Sequence, residues 1–409
     1  MKIGILREEK IPTDNRVPLT PEQCTLAMKN FPVTIVAQPS RIRCFEDEAY
    51  TAAGIQLQED IGDCDVLMGI KEVPVQHLVP GKTYFMFSHT IKKQAHNRNL
   101  LWAILDKNIR LIDYEVLKDA HGHRLIAFGY FAGMVGAHNG LWTYGERTQA
   151  FSLKRMKDFR EYKEAKAFYK SIQLPAIKVV LTGTGRVGSG AAHVLKDMGI
   201  TEVSPNDFLE KQFPYPVFTQ LNAAGYVARK DGAAFDRQDF YRHPSFYKST
   251  FFPYSCVADV MVHGVFWDNR APAFFTLADM RRPDFNIKVI ADITCDIAPE
   301  ASIPSTLRPS TIADPVYGFD PITNSEIPPF SPDGTDVMAI DNLPSEMPRD
   351  ASAAFGKKFL DHVLPELFKA KSDMLEKATI ALDGHLTPHY RYLEDYVAAY
   401  SEETGTLVS

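Results

Sequence analysis

The sequence predicts an α/β protein of two domains, each built around a mostly parallel β-sheet. Short β-type runs alternate with helical stretches in the first third of the chain, and such alternation predicts βαβ units. A second alternating series begins at Ile177. The length of 409 residues is enough for two or three domains of roughly 150 residues each.

The elements of the first series follow from the spacing of apolar residues. Thr20 and Pro21 predict the start of a helix, because threonine caps a helix and proline suits its first position. The predicted strands are residues 2–6, 33–37, 66–70 and 83–87, and the predicted helices are residues 21–29, 47–53 and 97–106.

Three later segments define the predicted domain boundaries. Residues 151–172 are rich in charge with apolar residues at helical spacing, which predicts an amphipathic helix bridging the domains. Residues 297–336 contain eight prolines, and so long a stretch in a compact domain predicts a binding loop or a lid. Phe355, Phe359 and Val363 recur every four residues, as in a helix with one buried face. The predicted domains are residues 1–137 with about 339–409, and residues 138–338.

Composition and charge exclude several classes of protein. The net charge is −6 and no block of Lys or Arg stands out, so we expect no nucleic-acid partner. The apolar runs are far shorter than the ~18 residues of a membrane span. Five scattered cysteines without a CxxC pair indicate reduced thiols in the cytoplasm, and neither a metal site nor a disulfide scaffold.

A glycine-rich turn carries the most specific motif. The predicted strand 177–182 leads into GTGRVGSG from Gly183, then into a helix, which is the setting that G-x-G-x-x-G requires. Gly183 permits the turn, Gly185 lets the backbone approach a pyrophosphate, and Gly188 lets helix and strand pack closely. The motif predicts that the second domain binds a nicotinamide dinucleotide. The predicted architecture is two Rossmann-like domains with an interdomain cleft. The alternative is a plain βα turn with packing glycines.

The identity of the dinucleotide stays open. The ribose-binding acid is expected at the end of the next strand, about 20 residues on. That strand is predicted at residues 200–204 and ends at Ser204, not at an acid. Arg186 could bind a 2′-phosphate, so NADP stands beside a slightly favoured NAD. Asp292, just past a predicted strand, contacts the cofactor or caps its loop, and the further predicted cofactor-binding residue is Val187.

Charged residues in the first domain follow predicted strands. Lys71 follows the strand 66–70 and His89 follows the strand 83–87. Because functional groups gather past the carboxyl ends of parallel strands, both could face one crevice. Burial and nearby cations can bring a lysine into the range of a general base, and histidine needs little tuning for that work. The alternatives are a solvated lysine and a packed histidine.

Several blocks of sequence resemble known enzymes. Residues 1–21 and the IKEVP around Lys71 are similar to the alanine dehydrogenase and transhydrogenase superfamily. The blocks FSHTIK (87–92), residues 110–137 and AIDNLPSEMPRDAS (339–352) resemble lysine-forming saccharopine dehydrogenase and the lysine–2-oxoglutarate reductase half of a bifunctional enzyme. Residues 39–61 and 243–256 lean toward the reductase half.

The resemblance implies roles for individual residues. It implies that Lys71 and His89 are the catalytic acid–base pair. The substrate-contacting positions that it implies are Arg16, Lys92, Glu115, Arg124 and Asp341. Two positions depart from the family: His123-Arg124 replaces a pair of arginines, and Glu72 replaces the arginine of the reductase half.

The implied reaction joins the ε-amine of lysine to the ketone of 2-oxoglutarate. A carbinolamine and then an imine form, and the imine takes a hydride from the nicotinamide. Saccharopine has three carboxylates, for which Arg16 and Arg124 are suited by two parallel hydrogen bonds each. The expected partners are these small molecules, with no membrane partner, and the chain is expected to be a monomer or homodimer. The alternatives are an amino-acid dehydrogenase of the alanine type and a non-catalytic NAD(H)-binding protein.

Overall fold

The computed structural model describes residues 1–398, within which the chain divides into two compact units. The first unit combines Met1–Ala127 with the chain from Pro348 onward, and the second is Phe128–Met347. The sequence placed these divisions near residues 137 and 338. Both lie about ten residues away, and the long helix from Gly129 packs against helix Arg186–Asp197 and the sheet of the second unit. Residues 399–409 of the predicted first domain lie outside the described residues.

The regular elements are numbered in chain order. The strands are β1 (Lys2–Ile5), β2 (Thr34–Ala37), β3 (Gln56–Leu57), β4 (Val66–Met68), β5 (Thr83–Met86), β6 (Arg110–Asp113), β7 (Lys178–Thr182), β8 (Thr201–Glu202), β9 (Val217–Leu221), β10 (Val227–Arg229), β11 (Tyr247–Ser249), β12 (Val260–His263), β13 (Val289–Asp292), β14 (Tyr317–Asp320), β15 (Ser325–Ile327), β16 (Thr335–Met338), β17 (Thr379–Leu382) and β18 (His385–Leu386). The α-helices are α1 (Pro21–Asn30), α2 (Asp47–Ala52), α3 (Arg98–Asp106), α4 (Gly129–Thr148), α5 (Tyr162–Tyr169), α6 (Arg186–Asp197), α7 (Pro205–Glu210), α8 (Ala223–Tyr226), α9 (Arg237–Arg242), α10 (Phe252–Ser255), α11 (Leu277–Met280), α12 (Pro348–Lys358) and α13 (Asp373–Ala378).

The first unit is an eight-stranded sheet in the order β18-β17-β6-β5-β4-β1-β2-β3. The strands from β6 to β3 are parallel, and β17 joins β6 antiparallel. Ile3 at its centre pairs with Ile35 and Val66. This order brings the carboxyl ends of β6, β5, β4 and β1 side by side at one edge.

Local signals at two helices of this unit are as predicted. Thr20 caps α1, and its side chain and that of Gln23 exchange hydrogen bonds with each other's backbone N–H groups. The helix predicted from Phe355 and Phe359 is α12, which continues as a π-helix over Phe359–Val363 and a 3-10 helix over Leu364–Phe368. Phe355 and Phe359 are buried, with their rings edge-on to Tyr114.

The second unit has an eight-stranded sheet in the order β15-β14-β16-β13-β12-β7-β9-β8. Its strands from β8 to β16 are parallel, so the α/β class with two largely parallel sheets is confirmed. The strand predicted at residues 200–204 is only the two-residue β8 at the sheet edge. The neighbour of β7 is β9, whose carboxyl end is Leu221.

Two segments differ from their predictions. The proline-rich residues 297–336 contain β14 and β15, which extend the sheet antiparallel, so this stretch is partly structural and not simply a loop or lid. Residues 151–172 form only the 3-10 helix Met156–Asp158 and α5, and Met156, Ala165 and Tyr169 are buried in the core of the second unit instead of bridging two domains. A continuous solvated helix there was the wrong prediction.

Helices α4 and α6 cross in close backbone contact. A Cβ on Gly133 would lie 1.9 Å from the carbonyl oxygen of Val187, and one on Gly190 would lie 1.9 Å from that of Tyr130. Only glycine fits at such a contact. The crossing therefore fixes the first turn of α6, which carries the glycine motif.

Residues 1–398 contain neither a membrane-spanning helix nor a cluster of metal ligands. None of the helices there is long and apolar enough to cross a bilayer. Nor do three or more His, Cys, Asp or Glu side chains converge in that range as ligands for a metal ion.

Candidate active site

The glycine-rich turn joins β7 to α6. Gly183 has a φ of +95°, and its carbonyl oxygen accepts a 2.8 Å hydrogen bond from the Gln220 side chain. A Cβ on Gly188 would lie 2.0 Å from that same carbonyl oxygen. The turn and the tight packing of helix on strand therefore explain these two glycines without any ligand.

Gly185 differs from the other two glycines of the motif. It caps α6 with a φ of −80°, which any residue adopts, and within residues 1–398 no atom lies within 4 Å of where its Cβ would be. Neither the backbone conformation nor the packing within residues 1–398 therefore requires glycine at position 185. The open space faces the start of α6 at Arg186 and Val187, where backbone N–H groups and the helix dipole favour an anion. The turn thus fits the pyrophosphate of a dinucleotide.

The order of the strands in the sheet decides which residue is expected to contact the ribose. Since β9 adjoins β7, the residue at that position is Asn222 and not Ser204. Asn222 caps α8, and its side chain accepts a hydrogen bond from Gly225 N–H. Ser204 instead caps α7 by accepting from Asp207 N–H. The end of β9 carries no carboxylate, and Glu202, the last residue of β8, is ion-paired to Lys196.

Asp292 at the end of β13 is fully buried. Its carboxylate accepts from Thr294 N–H, from the Thr294 hydroxyl at 2.6 Å and from the Thr306 hydroxyl at 2.6 Å. These hydrogen bonds stabilise the loop after β13, which is the alternative in which Asp292 caps its loop. Contact with the cofactor stays a prediction.

At the carboxyl edge of the first sheet, Arg16 is buried in the segment after β1. Its guanidinium binds Asp14 with two hydrogen bonds, 2.9 Å from Nε and 2.5 Å from Nη2. Burial, followed by the field of the Arg16 cation, lowers the pKa of the Lys71 amine. The amine has no hydrogen bond or ion pair within residues 1–398. A desolvated amine with a lowered pKa gives up its proton more readily than an ordinary lysine, which suits it to proton transfer.

Glu8 fixes the backbone that carries Lys71. Its carboxyl accepts from Ile70 N–H at 2.5 Å and from Lys71 N–H at 2.9 Å, so it joins the segments after β1 and β4. Burial raises the pKa of Glu8 to about 8, and the two hydrogen bonds oppose that shift. No sequence pattern predicts this role of Glu8, because the contact spans more than 60 residues.

Glu72 orients His89. Its carboxylate accepts a 2.6 Å hydrogen bond from His89 Nδ1 and another, also 2.6 Å, from Lys10. Burial acts to raise the pKa of Glu72, but the bonds from His89 and Lys10 outweigh it and lower the pKa to about 2. The ionised carboxylate accepts, so neutral His89 carries its proton on Nδ1 and leaves Nε2 as the acceptor.

Glu115 lies close to Lys92 and Arg124, the two other predicted cations of this unit. One carboxylate oxygen lies 3.4 Å from Lys92 Nζ and 3.6 Å from an Arg124 nitrogen. The Arg124 guanidinium also lies over the Phe87 ring, and the rings of Phe87 and His89 are nearly parallel, with centroids 6.4 Å apart. Phe87 thus connects the Glu115 cluster to the His89 cluster.

The seventh predicted residue lies in the other unit. Asp341 is exposed at the end of the segment after β16, and its backbone N–H donates to Ser310 at 3.3 Å. The six others, in the first unit, are Arg16, Lys71, His89, Lys92, Glu115 and Arg124. The structure adds Glu8 and Asp14, and their only signal in the sequence is the run of charge after β1.

Glu8 gives a prediction for the pH dependence of stability. Because the pKa of Glu8 is raised in the folded state, the folded state binds the Glu8 proton up to a higher pH than the unfolded state does. The free energy of unfolding therefore falls as pH rises from about 4.5 to about 8. Replacing Glu8 with Gln removes this titration. We expect the unfolding free energy of wild type to fall relative to E8Q by up to about 1.4 kcal/mol per pH unit in that window. Chemical denaturation at several pH values measures it, and parallel curves would contradict it.

Comparisons with known proteins agree on one relationship. Residues 4–135 match the family described as alanine dehydrogenase/PNT, N-terminal domain. Alpha-aminoadipic semialdehyde synthase of Arabidopsis thaliana is 31% identical over 442 residues, which cover 96% of this chain and 41% of that protein. The NAD(+), L-lysine-forming saccharopine dehydrogenase of Neurospora crassa is 26% identical over 385 residues, covering 88% and 90%. The chain spans less than half the length of the synthases it matches.

Solved structures share the fold at lower identity. An L-alanine dehydrogenase has a TM-score of 0.66 at 17% identity, with 98% of this chain and 99% of that one covered. A transhydrogenase from Sinorhizobium meliloti has a TM-score of 0.60 at 13% identity, with 94% and 100% covered. These structures share the fold, and the matches in sequence to the family and to the two relatives confirm the predicted resemblance.

Proposed function

We propose that this chain, a relative of the lysine-forming saccharopine dehydrogenases and the alpha-aminoadipic semialdehyde synthases with an alanine dehydrogenase/PNT N-terminal domain, interconverts saccharopine with lysine and 2-oxoglutarate. In the reductive direction, the lysine ε-amine, 2-oxoglutarate, NAD(P)H and one proton give saccharopine, NAD(P)⁺ and water. One C–N bond forms, the ketone oxygen leaves as water, and the imine carbon gains the hydride.

One observation carries the proposal. At the carboxyl edge of the first sheet, the desolvated Lys71 lies near the Arg16 cation, and His89 nearby is oriented by an ionised Glu72. An amine with a lowered pKa and an imidazole with a fixed acceptor nitrogen are the two groups that amine and hydroxyl proton transfers need.

In this proposal, Lys71 and His89 move the protons. The acceptor Nε2 of His89 takes the proton that the substrate amine loses as it attacks the ketone. The Lys71 ammonium donates a proton to the departing hydroxyl. A lowered pKa for Lys71 supports this role, because it makes the ammonium a stronger acid.

The fixed cations would bind the substrate carboxylates. Arg16, Arg124 and Lys92 suit this role, because saccharopine has three carboxylates and guanidinium groups bind carboxylates in pairs of hydrogen bonds. Glu115, between Lys92 and Arg124, would hold them in place or contact a substrate amine. Asp341 would hold the substrate ammonium or orient a hydroxyl of the cofactor.

The dinucleotide would supply and accept the hydride. Gly183, Gly185 and Gly188 would let its pyrophosphate approach the backbone, with Arg186 and Val187 at the start of α6. Without a carboxylate at Asn222, a 2′-phosphate is not repelled, so both NAD and NADP are proposed. The relatives named for NAD(+) favour NAD slightly.

The assay follows reduced-nicotinamide consumption with lysine and 2-oxoglutarate, in parallel with NADH and NADPH. We expect consumption only when both substrates are present. Pyruvate with ammonium is the control pair. Consumption with that pair alone, or none despite cofactor binding, would contradict the proposed substrates.

The cytoplasmic location and the monomeric or homodimeric state stay predictions. The mouse relative is named as mitochondrial. Fractionation of the source cell and the molar mass of the pure protein in solution would test them.

A further inference from the structure

The backbone of His89 has an uncommon conformation. Its φ is +54° and its ψ is +10°, in the left-handed region that residues other than glycine seldom adopt. His89 precedes the 3-10 helix Thr90–Lys92, and Lys93 at the other end of that helix has a φ of +53°. A left-handed residue costs free energy and persists only where surrounding contacts hold it. Contacts within the first unit must therefore stabilise this conformation of His89.

A buried chain of hydrogen bonds holds the residues on both sides of His89. The Ser88 hydroxyl donates to Asp113 at 2.5 Å, and the Ser88 N–H donates to the same carboxylate oxygen at 2.9 Å. The Thr90 hydroxyl lies 2.9 Å from the Ser88 hydroxyl. Since a serine hydroxyl has a single hydrogen, Thr90 is the donor to Ser88. All three side chains are fully buried, so one carboxylate fixes the backbone before and after His89.

The contact at the outer end of the 3-10 helix is weaker. Lys93 Nζ lies 2.8 Å from Asp395, whose side chain is 76% exposed, so water screens this ion pair. Exposed pairs contribute little to holding a geometry, whereas a buried carboxylate that loses its donors is left desolvated and unpaired. The buried chain through Asp113 therefore contributes most to fixing the backbone of His89.

Asp113 also fixes Glu115. Asp113 is the last residue of β6 and pairs with Met86 at the end of β5. Its other carboxylate oxygen accepts a 2.7 Å hydrogen bond from the Glu115 N–H, which caps the 3-10 helix Tyr114–Val116. One buried carboxylate thus joins the segments after β5 and β6, which carry His89 and Glu115.

We propose that Asp113 is a positioning residue of the candidate site and that it holds the backbone of His89 through Ser88. Glu72 binds the ring of His89, whereas Asp113 fixes the backbone that carries the ring. Because Asp113 is fully buried and both its oxygens accept hydrogen bonds, it acts through other residues and not on a substrate atom. The proposal rests on the proposed function for the part that His89 plays in proton transfer.

The first test needs no substrate. NMR of the full chain with isotope-labelled histidine should show the His89 Nδ1–H proton, which Glu72 accepts and which is identified by its absence in His89→Gln. Ser88→Ala removes one hydroxyl and leaves Asp113 its two N–H donors, so we expect the variant to fold. It should raise the rate at which this proton exchanges with water at least about fivefold, the effect of weakening one ordinary hydrogen bond. Asp113→Asn keeps one acceptor oxygen and should raise the rate as much or more.

Ser255→Ala is the matched control, because Ser255 is also fully buried and its hydroxyl donates to a backbone carbonyl before β12 in the second unit. The exchange rate should be unchanged in this control. A rate unchanged in Ser88→Ala, or raised equally by Ser255→Ala, would overturn the positioning role.

The second test measures turnover with lysine and 2-oxoglutarate. Ser88→Ala should lower kcat about tenfold, because a displaced catalytic group loses much of its effect, and should leave the dissociation constant of the reduced cofactor unchanged. In a His89→Gln background the same substitution should have no further effect, because it acts through His89. Equal losses of kcat in the two backgrounds would contradict the proposal. Faster proton exchange in Ser88→Ala of an enzyme inactive with lysine would overturn the proposed function alone.

Discussion

Replacing Lys71 with Met is expected to lower turnover by about 10²- to 10⁴-fold, the range supplied by a general acid or base. Methionine keeps the length and apolar stem of lysine but cannot exchange a proton. The backbone of residue 71 stays fixed, because Glu8 binds its N–H and not its side chain. The loss should therefore be in chemistry and not in folding.

The measurements are steady-state turnover with lysine and 2-oxoglutarate and the dissociation constant of the reduced cofactor. We expect turnover to fall while the dissociation constant stays within about twofold. Lys82→Met is the matched control, since Lys82 is also half-buried but precedes β5 at the opposite edge of the same sheet. Near-normal turnover of Lys71→Met would remove Lys71 from the mechanism.

The pH profile adds a second criterion. Lys71, with its pKa lowered by burial and by Arg16, should contribute one limb of the profile below the pH at which an ordinary lysine titrates. That limb should disappear in Lys71→Met and persist in Lys82→Met. A limb that is identical in wild type and Lys71→Met would assign it to another group.

The features that sequence predicted well are local ones. The cap at Thr20 and the contact of Gly188 with the Gly183 carbonyl depend on neighbours within a few residues, so the pattern alone predicts their geometry. The parallel sheets follow from alternation for the same reason. Strand order is not local: nothing in residues 200–204 shows that β9 would take the place beside β7.

The candidate site also has features that the sequence predicts and features that it does not. Lys71 and His89 follow strands, so the rule that functional groups gather at carboxyl ends predicts where they lie. Their environment depends on partners far along the chain: Glu8 is 63 residues from Lys71, and only folding brings them together. The proline count also missed β14 and β15, because prolines between strands do not prevent the strands from pairing.

The second large predicted effect is on stability and concerns a glycine of the second unit. Gly133→Ala should lower the unfolding free energy by about 3 kcal/mol or more, because its Cβ would lie 1.9 Å from the Val187 carbonyl oxygen and two helix backbones would have to separate. Thermal unfolding measures the loss, and for a unit of this size about 2–4 °C is expected per kcal/mol. A Tm within about 2 °C of wild type would show that the helices separate easily.

Gly185→Ala should do the reverse. Its Cβ would meet no atom of residues 1–398 and its φ of −80° suits alanine, so the cost in stability should stay below about 1 kcal/mol, the effect of a poorer helix cap. If the backbone there approaches a pyrophosphate, the methyl group takes the space of the ligand, and the affinity for the reduced cofactor should fall at least tenfold. The pair separates the two reasons for a glycine, since Gly133 is required by the fold and Gly185 by a ligand. Unchanged affinity in Gly185→Ala would mean that the pyrophosphate does not bind at this turn.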